Sequence, residues 1–258
     1  MTSQSPFSLA SRLRAGETIH TGWCGMGVPL IAEMIAREGF PAVNLDQQHG
    51  MFDMASTIAG IAAVRAGGAA ATVRIPLGGV AVASRVLDAG AEGIIAPMIN
   101  TAEDARVLAS ATKFPPVGER SWGPMRALTL TGMDQHDYLA QANAETVIFA
   151  MIETREAIEN LDAILATDGI DGVFVGPSDL SINLSAGKTL DPQSKEIDAL
   201  VTKIGEAAKR AGKIAGAYTG GAERANELAS RGFRYMAVAS DVGFLRAGTA
   251  NALKALKR

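Results

Sequence analysis

The chain has 258 residues, of which 48% are hydrophobic and only 5% aromatic, so it can fill a large close-packed core. Its 24 lysines and arginines are outnumbered by 27 aspartates and glutamates, which gives a formal net charge of -3. A net negative charge argues against the large positively charged surface that nucleic-acid binding requires, so we expect no nucleic-acid partner.

Short runs rich in β-branched residues alternate with longer helical patterns along the chain. In chain order, these runs predict strands at about 18–23, 41–46, 70–74, 93–97, 146–152, 171–176, 213–218 and 234–239. Between them, segments such as 28–39 and 154–167 place apolar residues at helical spacings of three and four. Thr101 and Asp104 resemble a capping box that opens the helix after the fourth strand.

The alternation of strands and helices predicts an α/β fold with an all-parallel sheet. The chain length is typical of one (β/α)₈ TIM barrel. No Gly-x-Gly-x-x-Gly follows the first strand, which favours closure into a barrel over an open dinucleotide-binding sheet. We therefore predict a single domain over residues 1–258.

Two segments interrupt the alternation. Residues 113–134 form a long connection that contains Pro and Gly, between the helix after strand four and strand five. Residues 180–194 form a second such connection after strand six. Connections of this length in compact domains are usually functional or mobile.

The chain carries no sign of a membrane or export segment. Its longest apolar runs have the length of strands, too short to span a bilayer, and residues 1–16 lack the apolar core of a signal peptide. Cys24 is the only cysteine, so an internal disulfide is impossible, which fits a reducing cytoplasm. We predict a cytoplasmic protein with no membrane partner.

Polar residues stand at the predicted carboxyl ends of several strands, the face on which barrel active sites lie. Such a set removes several charged groups from water, so stability alone is a poor reason for it. In chain order the residues are Trp23, Asp46 with His49 behind it, Arg74, Glu153 and Asp179.

Glu153 and Asp179 follow adjacent strands, so their carboxylates can share one hard cation. With two protein ligands, an ion such as Mg²⁺ or Mn²⁺ keeps open positions for water and a chelating substrate. The alternative is that each carboxylate only caps the helix or turn beside it. Together with Arg74 and His49 at neighbouring strand ends, the pair favours a metal site.

Arg74 offers a planar fork suited to a substrate carboxylate. Its alternative role is a salt bridge to Glu153 or Asp46 across the mouth of the barrel. The imidazole of His49 can act as an acid, a base or a hydrogen-bond donor. The other two histidines, in strand one and in a polar stretch near residue 136, are expected to be structural or solvated.

Two covalent mechanisms are disfavoured. A Schiff-base aldolase needs a lysine at the mouth of the barrel, but the lysines fall in predicted loops and helices or, as Lys213 does, at the wrong end of a strand. Cys24 has no histidine placed to activate it as a nucleophile. Polarisation of a carbonyl group would therefore depend on a metal.

Five motifs contain most of these polar residues. They are NLDQQHG (44–50), VRIP (73–76), LDAGAEGIIAPMINTAEDA (87–105), MIETREA (151–157) and VFVGPSDLS (173–181). In this order, they resemble the class II pyruvate aldolases of the HpcH/HpaI family. The resemblance extends over roughly residues 7–257.

The resemblance implies a (β/α)₈ barrel that uses a divalent cation, Mg²⁺, Mn²⁺ or Co²⁺, held by Glu153 and Asp179. Arg74 then corresponds to the arginine that binds pyruvate, and Asp46 to an acidic residue that holds a metal-bound water. The resemblance also implies that the substrate contacts the backbone near Gly176, Pro177 and Ser178. From its place at the end of the first strand, we expect Trp23 to contact the substrate as well. The predicted reaction joins pyruvate or hydroxypyruvate to an aldehyde, or cleaves a 4-hydroxy-2-oxo acid.

The resemblance also implies a histidine–aspartate pair that matches His49 and Asp88. Asp88 falls in a turn before the fourth predicted strand, on the face opposite the mouth, so it should not reach His49 of its own barrel. Family members are homohexamers, trimers of dimers that exchange the C-terminal helix. We therefore expect Asp88 to enter the active site of a neighbouring subunit.

The chain departs from the family pattern at two places. Met151 stands where some members carry a glutamine, which removes one polar contact to the bound oxo acid. The loop at 118–127 also differs from the form typical of the homoprotocatechuate-pathway aldolase. The sequence thus leaves the aldehyde open.

Two other functions stay possible from the sequence. A citrate-lyase-β-like or malyl-CoA-type lyase would share the two-carboxylate metal site, but it should carry a basic groove for the phosphates of coenzyme A. A non-catalytic protein that binds oxo acids would not need both metal carboxylates and the histidine.

Overall fold

Eight parallel strands close into a barrel in which each strand pairs with its neighbours in chain order, β8 returning to β1. The computed structural model describes residues 9–256. The strands are β1 (Ile19–Cys24), β2 (Ala42–Asp46), β3 (Ala70–Arg74), β4 (Gly93–Ala96), β5 (Val147–Ile152), β6 (Gly172–Val175), β7 (Ile214–Tyr218) and β8 (Tyr235–Ser240).

Helices surround the barrel and connect the strands. They are α1 (Leu9–Arg14), α2 (Pro29–Arg37), α3 (Met54–Ala66), α4 (Val80–Asp88), α5 (Ala102–Thr112), α6 (Met125–Thr131), α7 (Gln135–Glu145), α8 (Arg155–Glu159), α9 (Leu161–Leu165), α10 (Pro177–Leu184), α11 (Lys195–Arg210), α12 (Ala222–Ser230) and α13 (Asp241–Ala255). The fold is the predicted (β/α)₈ TIM barrel.

The barrel interior is a packed core of large side chains. Phe149 stacks on Tyr235 with 5.1 Å between ring centroids, and Phe174 meets both rings edge-on at 6.3 Å. The hydroxyl of Tyr235 lies 2.7 Å from that of Thr72, which donates to Asn44. Because these groups fill the middle of the barrel, the space for a ligand lies at the carboxyl ends of the strands.

The predicted strands agree with the observed strands to within one residue at each end. The capping box is also confirmed, since the Thr101 side chain accepts the Asp104 N–H and the Asp104 carboxylate accepts the Thr101 N–H. Both features have local causes, strand propensity in one case and side-chain to backbone hydrogen bonds in the other.

The two predicted long connections need correction. Residues 180–194 are not irregular throughout, because α10 runs over Pro177–Leu184 with proline at its first position, where the missing N–H costs nothing. Asp179 thus lies in the first turn of a helix. Residues 113–134 contain α6 (Met125–Thr131), which is followed by its C-cap residue Gly132 in the left-handed region (φ 68°).

The last helix, α13, packs little against the barrel. Its first residue, Asp241, is buried, whereas most of its length is exposed, including Leu245 and Leu253. Over residues 9–256, no helix combines the length and apolarity needed to cross a bilayer. Residues 1–8 and 257–258 lie outside the described residues. The predicted domain includes both segments, and the prediction about a signal peptide concerns the first of them.

Candidate active site

A cavity of about 420 Å³ opens at the carboxyl ends of the strands. It brings together nine of the residues that the sequence singles out, and it does not include Asp88. The nine are Trp23, Asp46, His49, Arg74, Glu153, Gly176, Pro177, Ser178 and Asp179. Its other lining residues are Gly25, Met26, Gly50, Met51, Met151, Phe174, Tyr218, Ser240, Asp241 and Val242.

Arg74 and Asp46 form a bidentate ion pair on one wall. Nε and Nη2 of Arg74 donate to the two carboxylate oxygens of Asp46 at 2.9 and 2.6 Å. The guanidinium lies 4.8 Å from the ring centroid of Trp23, whose Nε1 also donates to Asp46 at 3.2 Å. Burial acts to raise the pKa of Asp46, but the hydrogen bonds and charge of Arg74 outweigh it and hold that pKa below its usual range.

The geometry of this pair leaves part of Arg74 for a ligand. Asp46 occupies the Nε–Nη2 edge of the guanidinium, while Nη1 forms no hydrogen bond to another described residue. A guanidinium has five N–H donors in a planar fork, so it can hold a second carboxylate on its other edge. The salt bridge to Asp46 and a substrate-binding role are therefore compatible.

Glu153 follows β5 directly and is almost completely buried. One of its oxygens accepts the N–H of Met98 at 3.0 Å, and Met98 has a left-handed backbone (φ 54°) that presents this N–H. A Cβ at Gly176 would collide with the other oxygen, so any larger residue there would displace the Glu153 carboxylate. Burial, together with the charge of Asp179, raises the pKa of Glu153 to about 7.

Two observations bear on the capping alternative for these carboxylates. Thr154, rather than Glu153, caps α8 by accepting the N–H of Ala157. Asp179 lies in the first turn of α10, whose N-cap position is Gly176, without a side-chain cap. Glu153 is therefore not a helix cap.

The carboxylates of Glu153 and Asp179 fit a divalent cation. They approach closely enough for the charge of Asp179 to disfavour ionisation of Glu153, and a cation between them would remove that repulsion. Within residues 9–256, no group of three or more histidine, cysteine, aspartate or glutamate side chains is placed to hold a metal. Water and substrate would thus complete the oxygen coordination.

His49 lies in the loop after β2, at the rim of the cavity, and is exposed. Its backbone N–H donates to Asp46 at 3.3 Å. Gly50 permits the loop to turn back on β2, because a Cβ there would collide with the carbonyl oxygen of Asp46. Because His49 is exposed, its imidazole is accessible from the cavity and from solvent.

Asp88 is the last residue of α4, so it ends the helix and does not lie in the turn where the sequence placed it. It lies at the opposite end of the barrel, where Nη2 of Arg120 donates to its carboxylate at 2.6 Å. The side chain of Arg120 is completely buried, over the ring of Phe114. The structure thus places Asp88 away from His49 of its own chain.

Three cavity residues, Tyr218, Ser240 and Asp241, were not singled out from the sequence. Tyr218 ends β7, Ser240 ends β8, and Asp241 accepts the backbone N–H groups of Gly25 and Met26 at 2.9 and 2.8 Å. Their position at or just after the ends of predicted strands is the sequence feature from which they could have been predicted. Because alanine and glycine surround them, they stand in no motif that draws attention.

Cys24 and the lysines among residues 9–256 are not part of the cavity lining. Burial raises the pKa of the Cys24 thiol well above its usual range, which leaves it inert. The cavity-lining residues in the described part of the chain include no lysine. Lys113, just after α5, is buried elsewhere and donates to Asp171 and to the carbonyl oxygens of Asn143 and Thr146.

Comparison with known proteins gives a consistent result. The model of the HpcH/HpaI aldolase/citrate lyase family matches residues 23–247. A hydroxypyruvate/pyruvate aldolase from Rhizorhabdus wittichii is 40% identical over 232 residues, which cover 90% of this chain and 91% of that protein. A 4-hydroxy-2-oxovalerate aldolase from Novosphingobium aromaticivorans is 35% identical over 251 residues, with 96% and 93% covered.

A solved structure agrees with the sequence comparisons. The HpcH/HpaI aldolase from Desulfitobacterium hafniense has a TM-score of 0.88 to this chain at 28% identity. The superposition covers 96% of each chain. The similarity therefore extends over the whole barrel.

Proposed function

The chain belongs to the HpcH/HpaI aldolase/citrate lyase family and is an aldolase, and on that premise we propose its reaction and its catalytic groups. It joins pyruvate or hydroxypyruvate to an aldehyde, or cleaves a 4-hydroxy-2-oxo acid to pyruvate and an aldehyde. The observation that carries this proposal is the convergence, in one cavity, of a free guanidinium edge, the buried carboxylate of Glu153 and the half-buried carboxylate of Asp179.

Glu153 and Asp179 would hold a divalent cation. Their hard oxygen ligands suit Mg²⁺, Mn²⁺ or Co²⁺. When bound, the cation would serve as a Lewis acid toward the keto oxygen of the donor. The chain's own contribution is to bury Glu153 and fix it through the Met98 N–H, so that the two carboxylates stay together.

Arg74 orients the donor. Its Nη1–Nη2 edge binds the donor carboxylate while Asp46 keeps the other edge fixed. The backbone of Gly176, Pro177 and Ser178 forms the start of α10, where N–H groups lack partners within the helix and attract negative charge. Trp23 covers the guanidinium and excludes water from one side of the ion pair.

His49 and Asp46 handle protons and water. The exposed imidazole of His49 stands at the rim, where it can take the proton from the carbon beside the keto group or pass one to the aldehyde oxygen. Asp46 would hold a water beside the donor. In the cleavage direction the same groups remove the proton of the 4-hydroxyl group.

We further propose a cytoplasmic homohexamer, a trimer of dimers that exchange α13 and in which Asp88 of one subunit orients His49 of another. Two observations support the assembly. The helix α13 leaves apolar side chains such as Leu245 and Leu253 exposed in the isolated chain, and Asp88 lies at the far end of its own barrel. Assembly would then complete the active site.

The alternative functions find less support. Among the described residues that line the cavity, Arg74 is the only arginine or lysine. A citrate-lyase-β-like or malyl-CoA-type lyase would need further cations for the phosphates of coenzyme A. A non-catalytic binding protein would not require Glu153 to be held beside Asp179 at a cost in desolvation.

The proposal is tested by assaying the protein with pyruvate and with hydroxypyruvate against a panel of aldehydes. We expect a chelator to abolish turnover and Mg²⁺, Mn²⁺ or Co²⁺ to restore it. Glu153→Gln should weaken metal binding, measured by calorimetry, while circular dichroism shows an intact fold. The exposed Glu103→Gln is the matched control. Full activity of the metal-free protein would contradict the proposal.

A further inference from the structure

Two residues with hydroxyl groups line the cavity from neighbouring strands. Tyr218 ends β7, and Ser240 ends β8 and is the N-cap residue of α13. Both line the cavity, and β7 and β8 are paired in the barrel. The reaction described above assigns neither of them a role.

The hydrogen-bond inventory of this pair leaves one donor for a ligand. The Ser240 oxygen already accepts the N–H of Gly243 at 3.2 Å. Two hydroxyls carry two protons, and a hydrogen bond between them would use only one of these. At least one O–H of the pair is therefore left for a ligand in the cavity.

The pair lies beside the end of the cavity that holds the donor. The ring of Tyr218 packs edge-on against Trp23 with 5.5 Å between centroids. Trp23 in turn covers the guanidinium of Arg74 at 4.8 Å. A molecule whose carboxylate is bound by Arg74 therefore has its body close to Tyr218.

The surroundings make a hydroxyl on the donor depend on such a partner. Met151 and Phe174 form an apolar floor, and Phe174 lies 5.9 Å from Trp23 between ring centroids. A hydroxyl buried there loses its hydrogen bonds to water unless the protein replaces them. Glu153 and Asp179, when ionised, accept hydrogen bonds and donate none.

We propose that Tyr218 and Ser240 form a binding site for the C3 hydroxyl of the donor, so that the enzyme prefers hydroxypyruvate to pyruvate. This inference rests on the proposed aldolase function, because it concerns the donor of that reaction. The free O–H of the pair donates to the C3 oxygen. Pyruvate, which has a methyl group there, leaves that O–H without a partner.

The test is the ratio of kcat/KM with hydroxypyruvate to kcat/KM with pyruvate, measured with one aldehyde. Tyr218→Phe keeps the ring on Trp23 and removes the hydroxyl, and Ser240→Ala removes its partner. We expect each to lower the ratio about fivefold to tenfold, the effect of one lost neutral hydrogen bond. Ser194→Ala is the matched control, because Ser194 caps α11 in the same way but lies outside the cavity, and the ratio should stay at the wild-type value.

Several outcomes would overturn the inference. An unchanged ratio in Tyr218→Phe, or an equal loss with both donors, would mean that the pair does not read the C3 hydroxyl. Binding of both donors is also measured by calorimetry. Wild-type protein that binds hydroxypyruvate but turns over neither donor would refute the aldolase reaction, and the ratio of binding constants would still decide the role of the pair. Protein that binds neither donor would refute both.

Discussion

Two arginine–aspartate pairs at opposite ends of the barrel are built from the same parts. At the mouth, Arg74 binds Asp46 and lies over Trp23 at 4.8 Å. At the other end, Arg120 binds Asp88 and lies over Phe114 at 4.5 Å. In both pairs an aromatic face covers the guanidinium, and the shortest nitrogen–oxygen distance is 2.6 Å.

The two pairs expose opposite partners. At the mouth the Asp46 side chain is 5% exposed and Arg74 is 11% exposed, so the cation faces the cavity with the carboxylate behind it. At the other end Arg120 is 0% exposed and Asp88 is 24% exposed, so the carboxylate faces outward with the cation behind it. One end therefore presents a positive group to the cavity, and the other presents a negative group to the outer surface of the chain.

The largest effect should come from the outward-facing carboxylate. If Asp88 of one subunit orients His49 of another, His49→Ala and Asp88→Ala should each lose about a hundredfold or more in kcat, the usual contribution of a general acid or base. When the two variants are unfolded, mixed in equal amounts and refolded, random pairing should regenerate wild-type sites at roughly a quarter of positions. The measurement is kcat before and after mixing.

A control separates this exchange from simple refolding. Each variant is taken through the same procedure alone, and each should stay inactive. If the mixture gains no activity while both variants assemble normally on gel filtration, Asp88 does not serve a neighbouring His49. In that case the Arg74–Asp46 pair would serve the reaction, and the Arg120–Asp88 pair would serve only the structure.

A second effect tests the cation at the mouth. Arg74→Ala should lower kcat/KM about tenfold to a hundredfold with every aldehyde, because a charged hydrogen bond to the shared donor is lost. The exposed, ion-paired Arg106 offers a matched control, and Arg106→Ala should behave as wild type. A loss confined to one aldehyde would instead assign Arg74 to the acceptor.

A third effect measures the stability of the pair at the far end. Asp88→Asn leaves the buried charge of Arg120 with a neutral partner and should cost about 2 kcal/mol of unfolding free energy. In a barrel of this size, that corresponds to a fall in Tm of roughly 4–8 °C. The double variant Asp88→Asn with Arg120→Met should recover part of the loss, since no unpaired charge remains. Equal stability of single and double variants would show that the ion pair contributes little.

The sequence predicts the barrel and the strand ends well, because both depend on local patterns. Val, Ile and other strand formers mark each strand to within one residue, and a polar residue just after a strand necessarily lies at the mouth. Thr101 and Asp104 are recognisable for the same reason, since their hydrogen bonds join residues three positions apart.

Contacts between distant residues could not be predicted in this way. Arg120 is 32 positions from Asp88, and no local pattern announces that the two meet. Asp46 binds the Nε–Nη2 edge of Arg74 while the guanidinium lies over Trp23, and no local pattern predicts this arrangement. Tyr218 and Ser240 come together only because β7 and β8 are neighbours in the closed barrel.

The smallest effect is the pH dependence of the pair at the mouth. The folded-state pKa of Asp46 lies below its unfolded value, which is near 3.9, because Arg74 outweighs the effect of burial. The stability that the pair contributes is therefore fully present above the unfolded pKa, and it is lost as the pH falls through the folded pKa. In Arg74→Met the Asp46 carboxylate stays buried but loses its cation, so protonation should favour the folded variant.

The difference in unfolding free energy between wild type and Arg74→Met, measured by urea titration, should shrink as the pH is lowered from 6 to 3. In the presence of Asp46→Asn, the effect of Arg74→Met on the unfolding free energy should no longer depend on pH. The control Arg106→Met should differ from wild type by an amount that does not change with pH. A difference that stays constant over that range would mean that the Arg74–Asp46 pair, despite its short bidentate geometry, positions a substrate-binding group without stabilising the fold.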